Sequence, residues 1–206
     1  MKFYLLVDPL KPSQFAMCSV VGTWGKGKDC KFCTRRISGD IIIAPLVIEW
    51  EPGTERIGDF SWGGYKAVVL DRARSVLESN DFECRFDRVI VKRPRSFLRS
   101  KMPRVAYPYK GPKLFWMRPT ERVHIDVALS RIGLEEDCPC PVCGIEEYEF
   151  RRNRLVIRKS AWNRCKMFQI AEFGQSGATF VTESALKILD DTGLTNLCPR
   201  LAGEIR

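Results

Sequence analysis

The sequence contains very little histidine, and it lacks the motifs of several common enzyme classes. His124 is the only histidine in 206 residues. A glycine-rich phosphate loop, a nucleophile elbow and a carboxylate dyad are all missing. His124 and Asp126 share one face of a predicted strand over residues 123–127, an arrangement that favours a structural role. We therefore expect a protein that is not an enzyme.

Long apolar segments are missing as well. The longest one, residues 41–48, contains a proline and is too short to cross a bilayer as a helix. The apolar stretch at the N-terminus stops at Asp8 and Pro9, before a secretory signal could form. These features predict a cytoplasmic protein with no membrane partner.

The positive charge is concentrated in one segment. The formal net charge is +9, but residues 88–122 alone contain eleven Lys and Arg against one acid. They carry +10, so the remainder of the chain is close to neutral. Five prolines in this segment argue against a regular helix. The sequence therefore predicts one irregular basic segment rather than a basic protein.

The spacing of apolar residues predicts a mixed α+β fold. A hydrophobic content of 45% is enough for one sizeable core. Short apolar runs predict strands at residues 3–7, 41–43, 46–48 and 67–70. Two helices are predicted to follow strands, one capped by Asp71 and the other capped by Thr182 and ended by Gly193.

The two predicted strand-to-helix segments match each other at a constant offset of 112 residues. The matching pairs are Val69 with Val181, Asp71 with Glu183, Ala73 with Ala185, Val76 with Ile188, Leu77 with Leu189 and Phe82 with Leu194. Such self-similarity indicates two pseudo-repeated halves, although amphipathic helices also resemble one another by chance. We expect one compact unit, 1–206, divided into a first half 1–87, a basic proline-rich connector 88–135 and a second half 136–206.

Four of the nine cysteines form two C-x-x-C knuckles, Cys30 with Cys33 and Cys140 with Cys143. Two residues between cysteines allow both sulfurs of a tight turn to face one ion, and four thiolates suit a closed tetrahedral zinc site. Gly144 directly follows the second knuckle and can adopt the positive φ that such a turn requires. The sequence predicts one structural zinc held by these four cysteines, with one knuckle in each half.

Other readings of the cysteines stay open at this point. A thioredoxin-like redox pair needs a helix directly after the C-x-x-C, and neither knuckle has a clear one. Cys138 could replace Cys140 as a ligand, and four thiolates could also hold an iron–sulfur cluster. The remaining cysteines are expected to act as small buried apolar residues: Cys18, Cys84, Cys165 and Cys198.

These features resemble the double-CXXCG motif proteins, a bacterial family that includes the Sit-type immunity proteins. The resemblance is carried by the knuckle 30–33, the C-P-x-C-G sequence 140–144 and the run 180–196. Thr34 stands where the first motif of that family has glycine. What the resemblance implies is a zinc-ribbon-containing, non-enzymatic inhibitor that binds a cognate protein toxin.

A nucleic-acid-binding zinc ribbon is the alternative function. The basic segment interleaves aromatic side chains with its cations, a composition suited to phosphate contact and base stacking. In either function the predicted partner-binding residues are Arg93, Arg95, Arg99, Lys101, Arg104, Tyr107, Tyr109 and Trp116.

Overall fold

The computed structural model describes residues 1–9, 14–39, 42–94, 102–136, 138–149, 154–174 and 177–206. In these ranges the strands are β1 (Lys2–Val7), β2 (Cys18–Trp24), β3 (Lys28–Asp29), β4 (Arg36–Ser38), β5 (Ile42–Trp50), β6 (Phe60–Gly63), β7 (Lys66–Leu70), β8 (Cys84–Val91), β9 (Leu114–Pro119), β10 (Arg122–Val123), β11 (Leu155–Ile157), β12 (Met167–Ile170), β13 (Thr179–Thr182) and β14 (Cys198–Ile205). The α-helices are α1 (Asp71–Ser79), α2 (Val127–Ser130) and α3 (Glu183–Asp191). The mixed strand-rich composition agrees with the expected fold class.

Two six-stranded sheets form the body of the molecule. The first has the order β10-β12-β13-β1-β14-β11, and the second has the order β2-β5-β8-β9-β7-β6. Five consecutive strands of each sheet have the same pattern of pairing. In both, three antiparallel pairs are followed by one parallel pair, β14 with β11 in the first sheet and β8 with β5 in the second.

The strands β1 and β9 occupy the corresponding central positions of the two sheets. β1 lies between β13 and β14, whose residues come from the far end of the chain. β9 lies between β7 and β8. The sequence predicted that residues 88–135 are a connector. In the structure this segment also supplies β9, an inner strand of the second sheet. The apolar run 114–117 at the start of β9 could have predicted this strand, but it stands among basic residues and was not recognised as one.

Both helices follow a strand without a break. α1 continues from β7 and α3 from β13, each helix is nine residues long, and their first residues are 112 apart. Thr182 caps α3 as predicted, its side chain accepting a hydrogen bond from the amide of Ala185 at 3.3 Å. Asp71 is not the cap of α1. Leu70 holds that position because it is the last extended residue. Asp71 lies in the first turn, where its negative charge is stabilised by the positive end of the helix dipole.

The buried residues form three clusters. A central core contains residues from both sheets together with the inner faces of α1 and α3, among them Leu6, Met117, Leu77 and Leu189. Each sheet has a further outer core on its other face, one around Phe3 and one around Trp116 and neighbouring strands. Alternate residues of β1 and of β9 thus enter a central and an outer core, as the two-residue period of a strand requires.

Polar contacts also tie residues around 59–62 to residues around 195. The buried carboxylate of Asp59 accepts hydrogen bonds from the amide and the hydroxyl of Thr195, both at 2.9 Å, and from Arg72 at 2.8 Å. The indole of Trp62 donates to the carbonyl of Asn196 at 3.0 Å, and the Asn196 amide donates to the carbonyl of Phe60 at 2.7 Å. These bonds fix the turn after α3 against β6.

None of the helices in the described ranges has the length and apolarity that a membrane crossing requires.

The central position of β1 leads to a first prediction. Phe3 is 0% exposed, and its ring lies 5.7 Å from that of Phe168 and 6.0 Å from that of Phe180. Replacement by alanine should lower the free energy of unfolding by about 3–5 kcal/mol, because it leaves a cavity in a closely packed core. Urea unfolding of both proteins measures the difference.

Phe32→Ala is the matched control, since that phenylalanine is 64% exposed. It should change the free energy of unfolding by less than about 0.5 kcal/mol. Equal effects of the two substitutions would contradict the assignment of β1 to the core of the first sheet.

Candidate metal centre

The first knuckle is the tight turn between β3 and β4. The amide of Cys30 donates to the carbonyl of Arg35 at 2.8 Å, and the amide of Thr34 donates back to the carbonyl of Cys30 at 2.9 Å. The amide of Phe32 points at the sulfur of Cys30, with a distance of 3.4 Å. The backbone therefore holds both sulfurs on one side of the turn and leaves the side chain of Phe32 exposed.

The second knuckle repeats this turn 110 residues later. The amide of Cys140 donates to the carbonyl of Ile145 at 3.2 Å, and the amide of Gly144 donates to the carbonyl of Cys140 at 2.8 Å. An antiparallel bridge between Leu134 and Tyr148 closes the base of this loop. Both backbone-to-backbone hydrogen bonds of the first turn thus have counterparts in the second.

The two knuckles bring their four sulfurs together. Sγ of Cys30 lies 3.9 Å from Sγ of Cys140, and Sγ of Cys33 lies 3.7 Å from Sγ of Cys143. All four ligand atoms lie within 4.8 Å of one another, so the group could hold a metal ion. A tetrahedral ion with metal–sulfur bonds of about 2.3 Å needs sulfurs about 3.8 Å apart. A disulfide needs about 2.05 Å, and all four residues are free cysteines.

The turns favour the ionised thiolate at the first cysteine of each knuckle, Cys30 and Cys140. The amide of Cys143, followed by that of Val142, outweighs desolvation and lowers the pKa of Cys140 to about 6. The amides of Cys33 and Phe32 lower the pKa of Cys30 in the same way. At Cys143 the amide of Ile145 acts to lower the pKa, but desolvation and the neighbouring sulfurs together raise it to about 12. Four ionised sulfurs at these distances therefore need a cation between them.

Besides the four sulfurs, an ion pair connects the two knuckle loops. Nε of Arg35 lies 2.8 Å from Oε2 of Glu147, and Nη2 of Arg35 donates to the carbonyl of Glu136 at 3.4 Å. The bond to Glu147 and the proximity of Cys33 raise the pKa of the Arg35 guanidinium. Arg35 lies two residues after the first knuckle in sequence, but nothing in the spacing indicates Glu147 as its partner.

The other cysteines lie outside this group. Cys138 does not take the place of Cys140, and its sulfur accepts a hydrogen bond from the amide of Glu147 at 3.3 Å. Cys18 and Cys165 are buried in the outer cores, and burial raises the pKa of both thiols, that of Cys165 to about 12. Cys84 and Cys198 are half-buried and pack against the central and the first outer core.

His124 is exposed and contacts no cysteine of the group. Its Nδ1 lies 2.9 Å from a carboxylate oxygen of Glu172, whereas Asp126 caps α2 and pairs with Arg158. His124 and Asp126 do not share a strand face, because β10 ends at Val123 and Asp126 is the cap of α2, which begins at Val127.

Two of the predicted partner-binding residues that the structure describes are buried. Arg95, Arg99 and Lys101 lie outside the described residues. Trp116 is 3% exposed, because it projects from the inner strand β9 into an outer core, and it is therefore not available at the surface. Arg104 is also buried, at 9% exposure.

The other three predicted partner-binding residues reach the surface to different extents. Arg93 is exposed, and Tyr107 is 42% exposed. Tyr109 is half-buried, with its ring 6.2 Å from that of Trp50 and its hydroxyl donating to the carbonyl of Pro112 at 2.7 Å. Of the predicted aromatic contacts, only Tyr107 presents a large free surface.

Comparison of the chain with protein-family models and with curated proteins finds no match.

The first knuckle contains a strained residue. Thr34 has a φ of +62°, and Gly144, at the corresponding position of the second knuckle, has a φ of +69°. A β-branched residue is disfavoured in this left-handed region by about 1–2 kcal/mol, whereas glycine is not. A Cβ atom placed on Gly144 would have no heavy atom within 4 Å, so only the backbone conformation resists a side chain there.

This strain gives a second prediction. Thr34→Gly should raise the free energy of unfolding by up to about 1 kcal/mol, and Gly144→Thr should lower it by about 1–2 kcal/mol. Thr34→Ala is the control because it removes the hydroxyl and keeps Cβ, and it should give no gain. Urea unfolding in one buffer compares the four proteins. A gain for alanine equal to that for glycine would show that the hydroxyl and the γ-methyl of Thr34, and not the positive φ, are the cause.

Proposed function

We propose that the chain is a non-enzymatic immunity protein that binds and neutralises a cognate protein toxin in the cytoplasm, with one structural zinc ion at its four cysteines. The observation that carries the proposal is the closed group of four sulfurs. A tetrahedral ion with four protein thiolates has no open position for water or substrate. The metal centre then stabilises the fold, and the protein acts by binding its partner at the surface.

Zinc fits the donor set best. Four thiolates in a tetrahedron are typical of structural zinc, and the sulfur separations of 3.7 and 3.9 Å are close to what a single ion requires. A multi-iron cluster spreads its thiolates over several metal atoms and needs them farther apart. Two knuckles that are 110 residues apart in sequence also suit an ion whose binding energy is folding energy, because the unfolded chain does not hold them together.

We further infer that the halves are pseudo-repeats that have exchanged one strand. The knuckles are 110 residues apart, the helices 112, and β1 and β9 occupy the same place in the two strand orders. The second repeat then begins at β9 and not at residue 136, and the first strand of each repeat lies in the sheet of the other one. Such an exchange links the halves through their main chains, and the zinc ribbon links them through sulfur.

The immunity assignment rests on the resemblance to the double-CXXCG proteins and is supported by Thr34. This residue departs from the family's glycine but adopts the backbone conformation of a glycine. The first knuckle therefore differs from the family motif in the type of residue at this position, whereas the backbone conformation of the turn is the one that a glycine would adopt. The second knuckle keeps both the glycine and the conformation.

The alternative, nucleic-acid binding, is less well supported. Base stacking needs exposed ring faces, and the rings of the basic segment are mostly engaged within the protein. Trp116 is in a core, with the guanidinium of Arg118 4.3 Å from the centre of its ring, and Arg74 lies 4.6 Å from the ring centre of Phe115. The described part of the segment thus offers cations but few stacking surfaces.

The zinc proposal gives a third prediction. Elemental analysis of the purified protein should find one zinc per chain. Cys143→Ser should lose the metal and lower the free energy of unfolding by several kcal/mol, because the unfolded chain has no preformed site. Cys138→Ser is the matched control and should keep both metal and melting temperature. A folded, metal-free wild-type protein, or metal loss in the control, would contradict the ligand assignment.

A fourth prediction separates the two functions. If a gene for a secreted toxin neighbours this one, co-expression should protect cells from that toxin. Changing Arg93, Arg95, Arg99 and Lys101 to Glu should slow association with it and leave zinc content unchanged. If the segment instead binds phosphates, the wild-type protein should bind random oligonucleotides, with an affinity that falls by orders of magnitude between about 50 and 200 mM salt. The second result would replace immunity by nucleic-acid binding.

A further inference from the structure

An open groove lies beside the end of β8, outside the metal centre. Its volume is about 550 Å³, within the range of ligand-binding clefts. One wall is formed by residues 88–91 of β8 and the other by the turn 109–113, with Phe86 and Phe115 at one end. Its lining combines apolar side chains with Arg88 and Lys113 and includes no acidic residue.

The groove exists because β8 is longer than its pairing with β9. The paired residues end at Arg88 opposite Phe115, and β9 begins at Leu114. Residues 89–91 continue along β5 on one side only. Because the amide of Lys92 donates to the carbonyl of Ile48 on that side, the alternation of a strand places the N–H and C=O of Val91 toward the groove. The groove therefore contains a segment of strand edge.

The two cations are not neutralised by neighbouring acids. Arg88 and Lys113 are exposed, and neither forms an ion pair with any residue that the structure describes. Asp87, next in sequence to Arg88, points to the opposite face of the sheet and pairs with Arg118. Arg74, which covers Phe115 at the end of the groove, is already paired with Glu78.

The opposite wall is held in place by the fold. The hydroxyl of Tyr109 bonds to the carbonyl of Pro112 across the turn, and the ring packs near Trp50. Burial raises the pKa of Tyr109 to about 12, so that its hydroxyl stays neutral and adds no negative charge to the groove. An occupant therefore meets a preformed cleft, which lowers the cost of ordering on binding.

We propose that this groove binds an extended acidic peptide segment of the partner protein. Carboxylates of the segment pair with Arg88 and Lys113, an apolar side chain lies against Tyr109, and its main chain adds to the edge of β8 at Val91. Strand addition combines main-chain hydrogen bonds with specificity from alternate side chains. The inference rests on the proposed function to the extent that the partner is a protein.

A peptide fits this groove better than an oligonucleotide does. The main chain of a peptide matches the exposed N–H and C=O of a strand edge, which a sugar–phosphate chain does not. Two cations are few for a phosphate backbone, and the ring faces at the groove end are covered by Arg74. Nucleic acid is accordingly an outcome of the test and not part of the proposal.

A random octapeptide library displayed on phage provides the probe, with the full-length wild-type protein as bait. Enriched peptides should be acidic with at least one apolar residue. Their affinity should fall by at least about tenfold for the double variant Arg88→Glu, Lys113→Glu, since two attractive charge pairs become repulsive. In NMR spectra of the labelled protein, they should shift amide signals of residues 88–91 and 109–115.

The control variant is Lys159→Glu, Lys187→Glu, which changes the net charge equally at exposed sites away from the groove. It should retain the affinity for the enriched peptides. Equal loss in both variants would mean attraction by net charge alone and would overturn the proposal. So would enrichment of neutral or basic peptides, absence of enrichment, or displacement of a bound peptide by oligothymidylate at physiological salt.

The outcome is separable from that of the proposed function. If the Arg88→Glu, Lys113→Glu protein, folded and with its metal, protects cells from the toxin as well as the wild type does, the groove proposal fails and immunity stands. If the wild-type protein gives no protection, immunity fails, and the peptide selection still decides what the groove binds.

Discussion

The structure depends on the meeting of four sulfurs that come from turns 110 residues apart in sequence. Each turn alone can orient two sulfurs, because its hydrogen bonds form between residues at most five positions apart. Bringing the two turns together places four polarised sulfurs within 4.8 Å, and a divalent cation is the means by which such a group becomes favourable. The pair of Arg35 and Glu147 lies beside the sulfurs, but the side chain of Glu147 is 44% exposed, and an ion pair open to solvent on one side contributes too little to hold the turns together by itself.

The core and the strand pairing also join the parts of the chain that carry the two knuckles. The central core contains side chains from both sheets and from both nine-residue helices, so neither sheet can bury its inner face without the other. β1 is a central strand of a sheet whose other strands come from residues 122 onward. Separation of the knuckles would therefore strain a core that the pairing of β1 with β13 and β14 already holds together. A metal ion bound at the four sulfurs would stabilise the same interface as this core and this strand pairing.

The sequence was sufficient where a local pattern determines the structure. Both strand-to-helix segments, the cap at Thr182 and the meeting of the four cysteines follow from spacing and residue type alone. Leu70 replaced Asp71 as the helix cap because a strand that runs directly into a helix leaves no free residue between them. Position in a sheet could not be predicted in this way. Trp116 was interpreted as a surface aromatic because it stands among cations, yet β9 is an inner strand, and burial of alternate residues follows from its two neighbours.

That misplacement also changes how the basic segment should be understood. Its charge is high because its buried strand has many cations on either side and only one acid, Glu121, and not because the whole segment is a binding surface. Arg118 is used within the fold, over the ring of Trp116 and paired with Asp87, and Arg104 is buried. Among the described cations of the segment, Arg88 and Lys113 are exposed and form no ion pair with any described residue. Their positions are set by the end of β9, because Arg88 is opposite Phe115 and Lys113 directly precedes the strand. High charge in the sequence therefore does not by itself locate a recognition surface, because part of it, as at Arg118, is used within the fold.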